Sequence, residues 1–208
     1  MSRGIAEVQT PGRRRRSEGK RAAILDAAEA LFVAEGYDPT SVDAIAARAQ
    51  VSKRTVYDHF GDKETIFLRV LERVTDALTG MVRAAIDEEL TPGRELREAL
   101  TSFAGRIATS TFPSADYTAF RRLNAQQRPV PRLPDDVRNR PERMLEDRFA
   151  ELAAEGRLHA PDPRLAARHF TALTIGLALD SIADRPGHAD PDVITDGVAA
   201  FLRAYPAS

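Results

Sequence analysis

The sequence predicts an all-α protein of about nine helices, with a small amino-terminal head and a larger helical domain behind it. Three observations carry this. Apolar residues recur at three- and four-residue spacing in almost every segment between breaks. Those breaks are Pro and Gly clusters, the usual punctuation between helices. No alternating strand pattern and no Gly-rich strand-to-helix motif interrupts the series. A chain of 208 residues that is 43% apolar can bury a sizeable core without covalent staples.

Residues 1–17 mix Gly, Pro and Ser with the run Arg13-Arg14-Arg15-Arg16 and lack apolar periodicity, so a disordered basic arm is expected. It is either a solvated tail or an arm that follows phosphates or a minor groove. Helix one should cover Glu18 to Glu35, with Ile24, Leu25, Ala28, Leu31 and Phe32 as its buried stripe and Gly36 as a left-handed cap. Thr40, with Asp43 three residues on, forms a capping-box-like start for helix two. Ser52 can cap helix three in the same way, and Asp62 a fourth helix striped by Ile66, Phe67, Val70, Leu71, Val74, Leu78 and Val82. Beyond the break at Thr91-Pro92-Gly93, helical stretches are expected near 94–111, 116–128, 136–156, 162–184 and 190–205.

The absence of cysteine excludes disulfides, thiolate metal sites and thiol nucleophiles. No stretch approaches the ~20 apolar residues that span a bilayer, and the first residues lack a signal-peptide core, so a soluble, cytoplasmic protein with no membrane partner is expected. A formal net charge of −1 looks unsuited to a polyanion, but it hides the distribution: the first 21 residues carry seven basic side chains against two acidic. Lysine occurs only as Lys20, Lys53 and Lys63, and the last two fall in the segment of greatest interest.

That segment is Val51-Ser52-Lys53-Arg54-Thr55-Val56-Tyr57-Asp58-His59-Phe60. Val51, Val56 and Phe60 can anchor a short helix from behind, while its cationic, hydroxyl and aromatic groups face outward. Preceded by the short amphipathic stretch Thr40 to Ala49, it has the form of a helix-turn-helix, and double-stranded DNA is the expected partner.

The head resembles the DNA-binding domain of the TetR/AcrR family of bacterial transcriptional regulators over residues 18–67. Supporting residues are Ile24-Leu25-Asp26-Ala27-Ala28, Leu31-Phe32, Gly36-Tyr37, Thr40-Ser41, Ile45-Ala46, the Val51–Phe60 segment and Lys63-Glu64. Asp162-Pro163-Arg164-Leu165-Ala166-Ala167 is similar to a helix start found in some branches. The resemblance implies a head at 18–64 and a ligand-binding and dimerisation domain at 65–208. Two positions depart from the family pattern. Gln50 stands where the turn usually has Gly, at a cost of roughly 1 kcal/mol if left-handed. Arg54 stands where many members have a small residue.

Arg54 and Lys53, at the exposed start of helix three, suit hydrogen bonds to guanine, or else contact phosphates only. Thr55 suits a base methyl or a phosphate. Tyr57, His59 and Lys63 resemble the family's phosphate clamps, and Thr40, Ser41 and Ser52 offer hydroxyls and amides to phosphate. His59 has a competing role in a local hydrogen bond, and Tyr37 is expected to pack rather than touch DNA.

A homodimer is implied, since one head buries too little surface for tight specific binding. Its expected interface is formed by Phe170, Leu173, Leu177 and Ile182 with Val193, Ile194, Val198, Phe201 and Leu202, helped by Gly176 and Ala178 at a close helix contact. Some of these side chains must also serve the subunit core. An effector pocket is implied among the middle helices, with Phe103, Arg106, Tyr117, Phe120, Arg121, Asn124, Phe149 and His169 as candidates for a small apolar or aromatic molecule. The expected whole is a repressor released from a palindromic operator by that molecule, without a cofactor or metal.

Two rivals stay open at this point. A DNA-binding protein without sequence preference would share the basic head. A helical-bundle enzyme would need convergent ligands, but no Glu-x-x-His pair occurs, Glu155 to His159 is one residue too long, and no Gly-x-Ser-x-Gly nucleophile motif is present.

Overall fold

The computed structural model describes residues 11–125, 130–184 and 191–206, with side chains for 15–125, 130–181 and 192–206. It is helical, with no strand among the described residues: α1 Pro11–Glu35, α2 Val42–Arg48, α3 Lys53–Phe60, α4 Lys63–Glu89, α5 Leu96–Arg106, α6 Ala115–Asn124, α7 Asp135–Arg138, α8 Arg140–Ala154, α9 Pro163–Thr171, α10 Leu177–Asp184 and α11 Pro191–Ala204. A π-helical turn at Ile107–Thr111 continues α5, and a second at Ala172–Gly176 joins α9 to α10. Counting those continuous runs once leaves, among the described residues, nine rods of seven residues or more and the single turn α7, which matches the expected class.

Helix one begins at Pro11, not at Glu18. Residues 11–17 are therefore a helical extension rather than part of a disordered arm, and Arg15, Arg16, Lys20 and Arg21 are exposed along it. Pro11 suits a first helical position because its missing N–H would have no partner there. Residues 1–10 lie outside the described residues.

The chain divides into two compact units. The first holds the described residues up to Glu72 together with those of Arg122–Leu133; the second holds Arg73–Arg121 and the described residues from Pro134 onward. The division falls inside α4, eight residues past the boundary expected at 64/65. Physically this follows from Ile66, Phe67 and Val70, which are buried with the head.

In the first unit, Ile24, Ala28 and Phe32 of α1 are buried together with Ile45 of α2 and Val56 of α3. Phe67 meets Phe32 edge-on at 5.0 Å and Tyr37 at 4.9 Å between ring centroids. Tyr37 is thus a packing residue, as expected.

The second unit is built on an aromatic cluster. Phe170 lies 5.4 Å from Phe149 and 5.3 Å from Phe201, while Phe201 stacks on Tyr205 at 4.8 Å. The close approach of α11 to the second π turn depends on Gly197, where an added Cβ would come within 2.0 Å of the Leu173 carbonyl oxygen. Gly176, expected to permit a close contact, has ordinary room around it.

These packings correct the expected dimer surface. Phe170, Ile194, Val198 and Phe201 are buried within the subunit because α11 closes its core against α5, α9 and the second π turn. Leu173, Val193 and Leu202 are half-buried, and Leu177 is 46% exposed. The side chain of Ile182 lies outside the described residues.

Candidate nucleic-acid interface and apolar cavity

The head's turn is fixed by backbone chemistry. At the end of α2 the Gln50 amide donates to the Ala47 carbonyl at 3.2 Å and the Val51 amide to Ala46 at 3.0 Å. This is a Schellman termination, whose C′ residue must be left-handed. Gln50 has φ 55° there, so the departure from Gly leaves the turn intact but strained. The Ser52 Oγ then accepts from the Thr55 amide at 3.1 Å and starts α3. Val56 and Phe60 bury the rear of the helix. Gly61, at φ 80°, ends it, and Asp62 accepts from the Thr65 amide at 2.7 Å to open α4. That backbone hydrogen bond holds the Asp62 carboxyl below its ordinary range.

What remains outward is polar. The Arg54 side chain is 91% exposed, with only a long 3.9 Å contact to Asp58 one turn on. Tyr57 is 45% exposed. The Lys53 ammonium donates to Asp43 of α2 at 3.0 Å, and that hydrogen bond raises its pKa above the ordinary lysine value. The Thr55 hydroxyl pairs with Ser52 at 2.8 Å, and His59 is half-buried beside Phe60, with ring centroids 6.3 Å apart.

Three hydroxyl and cation assignments change. Thr40 does not cap α2: its hydroxyl donates to the Gly36 carbonyl at 2.7 Å, and the residue is 1% exposed, too deep for phosphate contact through that group. Ser41 is the cap, accepting from the Ala44 amide at 3.0 Å, and it is exposed. Lys63 turns back onto the chain, donating to the Tyr37 carbonyl at 3.0 Å and to Asp38 at 3.4 Å, with its ammonium 4.3 Å from the Tyr37 ring centre. It ties the start of α4 to the α1–α2 turn, whose carbonyls, turned out at the end of α1, attract a cation. Arg21, not foreseen, places its guanidinium 4.8 Å over the Phe60 ring and links α1 to the end of α3.

The second unit contains an apolar cavity of about 260 Å³. Leu78 and Val82 of α4 form one wall; Phe103, Ile107 and Phe112 of α5 and its π turn form another. Tyr117, Phe120 and Arg121 come from α6, Pro141, Glu142 and Leu145 from α8, and Thr171 and Ile175 from the α9 side. Both π turns therefore contribute to its wall, through Ile107 and Thr111 on one and Ile175 on the other. Such turns recur at functional sites because they redirect side chains without ending a helix. Ser114 starts α6 by accepting from the Tyr117 amide, and the Tyr117 ring lies against Phe112, tilted by 53° with centroids 4.2 Å apart.

Of the expected ligand residues, Phe103, Tyr117, Phe120 and Arg121 meet here. The other four do not. Arg106 is turned to Glu88 and Glu89, Asn124 is exposed and belongs to the first unit, Phe149 belongs to the aromatic cluster, and the His169 ring pairs with the Tyr205 hydroxyl at 2.7 Å. Glu142, not foreseen, is the one acidic side chain in the wall. Its carboxyl stands above the ordinary value, chiefly because neighbouring protein excludes water from it and against the pull of a hydrogen bond from its own backbone amide, although the residue as a whole is solvent-exposed.

A larger cleft of about 450 Å³ lies between the end of α4 and α8, walled by Arg83, Asp87, Asp147, Arg148 and Glu151. Arg148 is buried and already committed: Nε and Nη2 donate to the Leu90 carbonyl at 3.1 and 2.7 Å, and Nη1 to Glu151 at 2.7 Å. That cleft reads as the cap of α4, and the apolar cavity is the better ligand site despite its smaller volume.

Residues 24–70 match the family described as bacterial regulatory proteins, tetR family. Residues 98–207, more than half of the chain, match the C-terminal domain of AefR-like transcriptional repressors. The chain belongs to the TetR family.

Among curated relatives of this TetR-family chain, the transcriptional activator FasR of Mycolicibacterium smegmatis is 38% identical over 92 residues, which are 44% of this chain and 42% of FasR. The regulator YdeS of Bacillus subtilis is 35% identical over 105 residues, 48% of this chain and 52% of YdeS. The chain thus spans about half the length of these two relatives. Among solved structures, the flavonoid-responsive regulator FrrA is 28% identical with a TM-score of 0.67, covering 91% of this chain and 98% of FrrA. A TetR-family regulator from Mesorhizobium loti is 26% identical with the same TM-score and coverage. TetR-family proteins are transcriptional regulators rather than enzymes. No helix among the described residues is long and apolar enough to cross a membrane.

Proposed function

We propose that this chain is a homodimeric transcriptional repressor that binds a palindromic operator through α3 and is released when a small aromatic molecule occupies the apolar cavity. The observation that carries the reading is the outward face of α3. Arg54 is free to reach a base edge, with Lys53 beside it and the Ser41 and Ser52 caps at two helix starts where phosphate is favoured. Arg54 reads a guanine, and Lys53 joins it on leaving Asp43. Ser41, Ser52, Thr55, Tyr57 and His59 set register on the phosphates. Lys63 acts by holding the α1–α2 turn, so its loss weakens binding to all sequences alike. Leu173, Leu177, Val193 and Leu202 supply the apolar part of the dimer contact.

An aromatic effector is supported by the four rings in the cavity wall and by the flavonoid response in FrrA's name. The protein works in the cytoplasm, where its DNA is. A selection of genomic fragments on the purified chain, followed by a screen for compounds that release the bound fragment, tests the reading. It predicts enrichment of one inverted repeat and at least one aromatic releasing compound. Uniform retention of all fragments would favour binding without sequence preference. A reporter driven by the selected fragment decides the sign, since FasR is described as an activator: deleting the regulator should raise expression.

A further inference from the structure

A carboxylate in an apolar wall is costly unless a cation or hydrogen-bond donors stand against it. Among the described residues Glu142 makes no ion pair: the residue is solvent-exposed while neighbouring protein shields its carboxyl, which accepts a hydrogen bond from its own backbone amide, and the charges that act on it, Glu146 and Arg138, oppose one another. Arg121, the one cation in the wall, lies toward Tyr117, with its guanidinium 6.0 Å from that ring centre, and it is solvent-exposed. The same wall holds the rings of Phe103, Phe112, Tyr117 and Phe120, whose faces attract positive charge.

We infer that the cavity takes a small aromatic molecule bearing a protonated nitrogen, which pairs with Glu142 while its ring body packs among the four aromatic side chains. This rests on the reading of the cavity as the effector site. The cavity's size bounds the molecule. At about 260 Å³ it falls below the ~300–1,000 Å³ of drug-sized pockets, so a one- or two-ring body fits better than a larger one. Charge complementarity selects among such molecules. An anion would meet Glu142 with like charge, and a neutral molecule would leave the carboxylate without a counter-charge, as before. A cation supplies the missing partner, and the aromatic faces reinforce it.

Isothermal titration calorimetry on the full chain at neutral pH, with naphthylmethylamine, naphthalenemethanol and naphthoate, separates the possibilities. The three share a ring system and differ in charge. The protonated amine should bind about tenfold tighter than the alcohol, and naphthoate weakest. Glu142→Gln should remove the amine's advantage and leave the alcohol within about twofold, with an unchanged helical circular-dichroism spectrum. Alcohol or naphthoate binding as tightly as the amine, or an amine affinity untouched in Glu142→Gln, overturns the charge assignment while leaving the effector cavity in place. Failure of all three to bind the wild-type chain removes both.

Discussion

The outward face of α3 and the wall of the apolar cavity treat charge in opposite ways. On α3 the charges are in water: Arg54 is almost fully exposed, and Lys53 rests on an exposed Asp43. Such pairs are worth about 0–1 kcal/mol and exchange easily for a phosphate or a base. In the cavity wall a single carboxylate, Glu142, is shielded by neighbouring protein and, among the described residues, has its own backbone amide but no cation against it. The head is therefore held by caps, buried hydrophobes and the tethers of Lys63 and Arg21, and the charges on the outward face of α3 are spare. The cavity's charge carries a desolvation cost that α3's charges do not. Selectivity in the first place comes from geometry, and in the second from desolvation.

The largest way to break this comparison is to disturb the frame around one region alone. Gly197→Ala should destabilise the protein by about 1–3 kcal/mol or more, since its Cβ would meet backbone rather than a movable side chain. Phe170→Ala should cost about 3–5 kcal/mol through the lost aromatic cluster. Denaturant titration reads both; midpoints equal to wild type would mean that α11 does not pack as described.

Next in size, Arg54→Ala should lose about 1–3 kcal/mol of operator binding and relax preference at one position in each half-site. Fluorescence anisotropy with single-base operator variants checks this, while the thermal midpoint should stay unchanged. Gln50→Gly should stabilise by roughly 1 kcal/mol, because it relieves a left-handed non-glycine residue. A lower melting temperature for that variant would show that the Gln50 side chain supports the turn.

The smallest effect sharpens the comparison through pH. The Glu142 carboxyl is raised in the folded chain above the ordinary value of 4.5, so the folded state holds its proton more tightly than the unfolded state does. Stability is then lost as pH climbs through that raised value and is recovered below the unfolded value. Glu142→Gln should melt slightly above wild type at neutral pH, and the gap should close as the solution is acidified toward 4.5. A gap that widened on acidification would mean that Glu142 has a favourable partner.

Local chemistry explains which of these features could be read from the residues. Ser52, Asp62 and Gly36 announce helix ends by interactions that span three or four residues, and the left-handed Gln50 follows from its place after α2. Thr40 and Ser41 are adjacent hydroxyls of equal capping power. The choice between them is made by the Gly36 carbonyl, which claims the Thr40 hydroxyl. Lys63 and Arg21 act over 26 and 39 positions of sequence, as do Gly197 and Leu173 over 24, and no helical period encodes such meetings. Phe103 and Phe149 look alike in sequence; only packing sends one to the cavity and the other to the aromatic cluster. Glu142 was missed because an acid in a helix's first turn is ordinary until its surroundings are known.

The central claim is that the face of α3 reads a defined duplex. Its most direct test is the affinity of the purified chain, measured by anisotropy at one fixed salt concentration, for the selected inverted repeat and for a scrambled duplex of equal length and composition. Binding to the repeat should be at least about a thousandfold tighter. Equal affinity for the two duplexes would contradict it.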